Sequence, residues 1–297
     1  MLEVGIKNKK DTKDTIVYKE RMRPSEVNKL WISRIFIWIA LVITIFPLVA
    51  IISASLASGQ SFSQGGRILP DSITFQNYID VLTKTDFLTW VKNSMFLCFS
   101  VAIIQLVITA PASYAFSRLK FIGKKNGLMF LLILQMFPAM MAIPAILAIA
   151  YRFDLMDNLW SLVLLMCGGS AYSIWLLKGF IDGIPRELDE AAYVDGATTL
   201  QTFLQIILPL SRSMLVVMFV FSFIGTYSEF VLTSALMKDP ATQTVATGLR
   251  QFINNQFSAN WTQFAAAATM ASVPIIIVFS VLQKFIAQGL VAGAVKE

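Results

Sequence analysis

Six runs of about twenty apolar residues constrain this chain more than any other feature. A bilayer core about 30 Å thick is crossed by roughly 17–25 apolar residues in a helix, because a helix satisfies its own backbone N–H and C=O groups there. Ile35–Leu56, Ser94–Ala115, Gly127–Tyr151, Leu159–Leu177, Ser213–Met237 and Phe264–Leu282 meet that requirement. The pattern predicts an all-α integral membrane protein with six transmembrane helices. Composition points the same way: 56% of the 297 residues are hydrophobic and 14% are charged, too few for the polar surface of a soluble domain this long.

The expected organisation is a charged leader over residues 1–34 and a transmembrane domain over residues 35–297. The leader mixes Lys with Asp and Glu and reads as a solvated tail. Ile35–Leu56 is longer than a signal-peptide core and reads as an uncleaved anchor.

Lys and Arg set the orientation. With the N-terminus in the cytoplasm, 18 of the 24 basic residues fall on the cytoplasmic side: nine in the leader, then Arg118, Lys120, Lys124, Lys125, Lys178, Arg186, Arg212, Lys284 and Lys296. The other side holds six, namely Arg67, Lys84, Lys92, Arg152, Lys238 and Arg250. This positive-inside bias places both termini in the cytoplasm. It also accounts for the net charge of +6 without nucleic acid as a partner.

Several chemistries are excluded. The chain has no histidine, so His-dependent triads, zincins and imidazole relays are absent. It has no G-x-x-x-x-G-K-[ST] loop to cradle ATP phosphates. Cys98 and Cys167 both lie in apolar runs, where a structural disulfide is not expected.

The segment over residues 182–212 is long for a connector and is not written as disorder. Pro185 can open a helix, with Glu187, Asp189 and Glu190 near its positive end. Gly196 can supply a left-handed stop after Asp195. Thr198 or Thr199 can cap a second helix, Leu200–Leu208, closed by Pro209. The result is a short helix–turn–helix whose Ala191-Ala192 pair has little bulk. Another protein's groove can approach that backbone, and Glu190 and Asp195 can accept hydrogen bonds from it.

Glu190-Ala191-Ala192, three residues, Gly196, nine residues, Ile206, one residue and Leu208-Pro209 match the EAA signature of ABC-importer permeases at each fixed letter. Tyr114-Ala115-Phe116-Ser117-Arg118, Gln135-Met136-Phe137-Pro138-Ala139, Asp195-Gly196-Ala197-Thr198 and Gly289-Leu290-Val291-Ala292-Gly293 extend the similarity. Over residues 35–297 the chain resembles the smaller permease subunit of maltose/maltodextrin importers. The resemblance implies a type I importer permease whose cytoplasmic coupling helix, Glu190 to Gly196, sits in a cleft of a separate ATPase. It implies a second, different permease subunit, two ATPase subunits that hold ATP and Mg, and an external sugar-binding protein. The chain itself then carries no cofactor and no catalytic residue, and its home is a prokaryotic plasma membrane.

Other candidates are less specific. Gln135, Tyr227 and Ser228 can hydrogen-bond sugar hydroxyls along a path, or equally bridge helices. Met136 beside Pro138 can form an adaptable gate or fill gaps at a kink. Glu229 is the one acidic residue within the spans, some 25 Å from Arg212 at about 1.5 Å per residue, and reads as a structural carboxylate rather than a proton relay. The outer loop Lys238–Trp261 resembles one that reaches toward the binding protein, with Gln251, Asn254, Asn255 and Trp261 as candidate contacts. The tail, with Gly289, Gly293 and Lys296, resembles one that reaches between the ATPases. An ion-coupled secondary transporter would show internal repeats and buried ionisable pairs, and a receptor would need a soluble signalling domain. A permease for a different oligosaccharide would share every motif quoted above.

Overall fold

In a computed structural model the protein is described over residues 24–59, 70, 72–254 and 259–294. It is almost wholly helical, with one isolated antiparallel bridge between Ala57 and Ile73 among the described residues. In chain order the helices are α1 (Pro24–Ser55), α2 (Gln76–Lys84), α3 (Phe87–Arg118), α4 (Lys124–Gln135), α5 (Ala139–Arg152), α6 (Leu159–Cys167) and α7 (Ala171–Asp182). They continue with α8 (Glu187–Val194), α9 (Thr199–Thr202), a π turn Phe203–Ile207, α10 (Leu208–Leu210), α11 (Arg212–Tyr227), α12 (Val231–Leu236), α13 (Val245–Leu249) and α14 (Trp261–Ala294).

Three helices, α1, α3 and α14, are each long and apolar enough to cross a membrane, and three bent pairs pass the same test together, giving six if each pair is one span. The bends have local causes. Pro138 lacks an N–H and disfavours helical geometry at Phe137, so the apolar run over residues 127–151 divides into α4 and α5. Gly168 and Gly169 separate α6 from α7, which meet at 49°. The freed carbonyls there are taken up: Gln105 Nε2 donates to Met166 O at 3.0 Å and Ser170 Oγ donates to Cys167 O at 2.7 Å. The third bent pair joins Thr199–Leu210 to Arg212–Tyr227 at 75°, and the apolar run over residues 213–237 is itself divided where α11 ends at Tyr227 and α12 starts at Val231.

Helix α3 organises the molecule. It contributes to each of three buried clusters. Trp90, Cys98 and Ala102 meet Phe223 and Tyr227 of α11, Val245 of α13 and Ala267 and Ala271 of α14. Leu97 and Val101 meet Ala150, Leu162, Val163, Cys167 and Leu236. Ala110 and Tyr114 meet Leu177, Ile181, Phe203, Ile207 and Met218. Cys98 and Cys167 are both free thiols, in different clusters. At α1, Asn77 Nδ2 closes the last turn by donating to Ser55 O at 2.9 Å and to Ala57 O at 2.8 Å.

The segment over residues 238–249 is tied down where it passes α3. Asn93 Nδ2 donates to Ala241 O and to Gln243 O, both at 2.8 Å, and Val245 N donates to Ser94 Oγ at 2.9 Å. Asp157 Oδ1 accepts from Asp239 N at 2.7 Å, from Lys238 N and, at 3.3 Å, from Thr242 Oγ1. The stretch from Lys238 to Leu249 is therefore docked onto the bundle rather than extended away from it. Asn255 and Lys296 lie outside the described residues.

Candidate functional site

The hairpin over residues 184–211 is built by its caps. Helix α8 opens at Glu187, two residues after Pro185, with Arg186 at the N-cap; Glu187, Asp189 and Glu190 occupy its first turn, where negative charge opposes the helix dipole favourably. Its end is a Schellman motif. Gly196 has φ +85°, Gly196 N donates to Tyr193 O at 3.1 Å and Ala197 N donates to Ala192 O at 2.9 Å. Thr198 then starts α9 with a capping box: its Oγ1 accepts from Gln201 N at 3.3 Å, and Gln201 Oε1 accepts from Thr198 N at 2.8 Å.

Pro209 was expected to close the second helix, but the helix runs on to Leu210. The adjustment precedes the proline. Over Phe203–Ile207 the backbone widens into a π turn, and Leu208 N donates to Phe203 O, five residues back. That register tolerates a residue with no N–H and a ring in the way of the preceding turn. The chain then bends by 75° into α11, with Ser211 N donating to Ile207 O at 2.9 Å.

One face of the hairpin is core and the other is open. Ala192, Thr202, Phe203 and Ile207 are buried, and Phe203 and Ile207 pack against α3, α7 and α11. Full burial of Ile207 contributes about 1.5–3 kcal/mol. The Ala191-Ala192 pair is thus divided: Ala192 packs inward, and Ala191 is exposed. Glu190, Asp195, Gly196 and Pro209 are also exposed, and Ile206 and Leu208 are half-buried against the α11 side. Around them Val194 is 88% exposed and Leu200 63% exposed. Apolar side chains this open beside the charged Glu190 and Asp195 form a surface suited to a protein partner.

Sequence reading missed what holds this face in place. Arg118, the last residue of α3, lies with its Nε 2.8 Å from Asp189 Oδ2, and its Nη2 donates to Ile184 O at 2.6 Å. Ser117 Oγ donates to Asp182 Oδ1 at 2.6 Å, and Lys178 pairs with the other carboxylate oxygen. Burial pushes the Asp189 carboxyl above the usual carboxylate range, against the pull of Arg118. Arg118 stands in one quoted motif and Asp189 beside another, but nothing in their spacing says that the two touch.

Several of the remaining candidates have structural partners. Tyr227 is buried and donates to Ala271 O at 2.7 Å, bridging α11 to α14. Glu229 caps α12: its carboxylate accepts from Leu232 N at 2.8 Å, from Thr233 N at 2.9 Å and from Thr233 Oγ1 at 2.8 Å. Gln135 Oε1 accepts from Tyr172 N at 2.9 Å at the start of α7. Met136 is 81% exposed beside Pro138, and Ser228 is exposed at the α11–α12 break. Asn254 Oδ1 accepts from Arg250 Nε at 3.2 Å, Gln251 donates to Gln243, and Trp261 packs edge-on against Phe264. Gly289 and Gly293 fall within α14, which continues to Ala294.

The architecture is that of ABC-importer permeases. It aligns with a chain of a bacterial ABC transporter involved in alginate import at TM-score 0.75 and 22% identity, covering 90% of this chain and 99% of that one. A second alginate-transporter chain, from a complex with a periplasmic protein bound to alginate pentasaccharide, aligns at TM-score 0.65 and 14% identity, covering 87% and 94%. Residues 107–291 match the family described as binding-protein-dependent transport system inner membrane component, and the chain belongs to it. Similar family members include the maltodextrin permease MdxG of Bacillus subtilis, 35% identical over 88% of this chain and 94% of that protein. The galactooligosaccharide permease GanQ of the same organism is 36% identical over 86% and 91%, and the maltose/maltodextrin permease MalG of Vibrio vulnificus is 34% identical over 90% and 96%.

Proposed function

We propose that this chain is one of two permease subunits of an ATP-driven importer that carries an oligosaccharide, of the maltodextrin or galactooligosaccharide type, into a prokaryotic cell. The observation that carries the reading is the open face of the hairpin, with Glu190, Ala191, Val194 and Leu200 on a rigidly capped pair of helices. A separate ATPase grips that face, binds ATP and Mg, and closes on its twin. The hairpin passes the movement to the bundle, which alternates between inward-open and outward-open states. The chain contributes no catalytic group of its own. A count of eighteen basic residues against six supports an orientation with the hairpin and both termini in the cytoplasm and the Lys238–Leu249 segment outside, toward a sugar-binding protein.

The substrate class rests on relatives for maltodextrin and for galactooligosaccharides at nearly equal identity, 35% and 36%. The test is reconstitution with the partner permease, the ATPases and the binding protein, measuring ATP hydrolysis and uptake across a panel of α- and β-linked oligosaccharides. Sugar-dependent stimulation by one linkage class is the expected result. Uptake driven by an ion gradient without ATP would overturn the proposal.

A further inference from the structure

Two opposite charges are shut away together beneath the hairpin. The side chains of Arg118 and Asp189 are 5% and 8% exposed, with Nε and Oδ2 2.8 Å apart. Stability alone does not call for such a pair, because apolar side chains of similar volume commonly hold a buried site as well or better. An ion pair differs in its response to displacement. Apolar contact is non-directional and can be remade with new neighbours, whereas separating a buried pair leaves both charges without partners.

The pair's position gives that stiffness a direction. Asp189 is on the inner face of α8, and Arg118 ends the helix that contributes to all three buried clusters. Neighbouring bonds anchor the same end of α3 to other elements. Ser117 Oγ donates to Asp182 at the end of α7, and Lys124 Nζ, at the start of α4, donates to Ser117 O at 3.0 Å and to Leu119 O at 2.8 Å. Arg118 continues this set of ties into the hairpin, through Ile184 O and the Asp189 carboxylate.

We infer that Arg118 and Asp189 are positioning residues that make α8 and α3 move as one body, so that a push on the hairpin reaches the membrane-spanning core instead of being absorbed by rocking of α8. The inference rests on the hairpin being the ATPase contact proposed above.

The test uses the whole complex in liposomes and reads ATPase co-purification, ATP hydrolysis and sugar delivered per ATP. Arg118→Met combined with Asp189→Leu removes both charges and keeps apolar bulk. The double variant is expected to assemble and hydrolyse ATP while sugar delivered per ATP falls about tenfold, within the range of known coupling mutations. A wild-type ratio in the assembled double variant overturns the inference and leaves the ATPase-contact reading standing. Should the double variant not assemble, Arg118→Lys decides: it keeps the charge but gives up the second donor to Ile184 O, and is expected to lower the ratio about threefold. An unchanged ratio in that variant likewise overturns the inference. A wild-type chain that binds no ATPase would instead overturn the proposed function, and is recognised by the missing co-purification.

Discussion

The indole of Trp90 lies against the backbone of Gly248, so closely that a Cβ at Gly248 would come within 2.2 Å of Trp90 Cδ2. Trp90 is 1% exposed and forms the buried floor on which α13 rests. Gly248→Ala therefore forces the ring or α13 to move. The expected cost is about 1–3 kcal/mol or more, read as a lower melting temperature in detergent. Gly225→Ala is the control: its Cβ would meet nothing within 4 Å, and alanine is the better helix former. Equal melting temperatures for the two variants would show that α13 does not pack on Trp90.

Asp157 holds the segment that follows α12 through Lys238 N, Asp239 N and Thr242 Oγ1. Burial opposes ionisation, but these donors prevail and hold its carboxyl below the usual carboxylate range. A depressed folded value stabilises the fold above the unfolded pKa of about 3.9, and that stability is lost as pH falls through the folded value. Asp157→Ala should melt below wild type near neutral pH, and the gap should shrink as the pH drops below about 4. A gap that is constant from neutral pH to acid would refute the assignment.

Glu229 is a helix cap, with three donors on its carboxylate. Glu229→Ala is expected to cost about 0.5–2 kcal/mol, the scale of a lost cap. Glu229→Gln retains one acceptor oxygen and should cost less. Uptake by either variant, normalised to folded protein, should not depend on a proton gradient. A gradient dependence tied to Glu229 would assign it to proton movement instead.

Gly196 holds φ +85° at the Schellman turn, where a side chain is strained by about 1–2 kcal/mol. Gly196→Ala should lower transport by loosening the angle between α8 and α9, and Gly196→Asn should be milder because asparagine tolerates this conformation. Glu190→Lys tests the open face directly. Glu190 is exposed but sits in the first turn of α8, so charge reversal should cost about 0.5–2 kcal/mol in equivalent stability while ATPase co-purification, normalised to folded protein, falls. Full co-purification with Glu190→Lys would remove the open face from the proposed contact.

The spacing of small and capping residues made the hairpin legible before any fold was known. Gly196 marked the stop of α8 and the pair Thr198-Thr199 the start of α9, of which the structure uses Thr198, because such residues act on backbone groups within a few positions. Pro138 likewise marked a kink in the third apolar run. The π turn before Pro209 was not legible, since it is an accommodation spread over five residues, and no single residue type signals it. The roles of Tyr227 and Gln135 stayed open between path and bridge until their partners, Ala271 O and Tyr172 N, were placed.

The sequence alone determined that this chain is helical and apolar along six stretches, that the third of them is kinked at Pro138, and that the chain carries an EAA hairpin. These are local properties, set by hydropathy over some twenty residues and by backbone chemistry over three or four. Tertiary structure decided that Ala192 is buried while Ala191 is not, that the segment from Lys238 to Leu249 lies on Trp90, Asn93 and Ser94, and that Arg118 meets Asp189, 71 positions further along the chain. Such contacts depend on how three separate buried clusters close around α3, and no periodicity in the chain encodes which distant side chains that closure brings together.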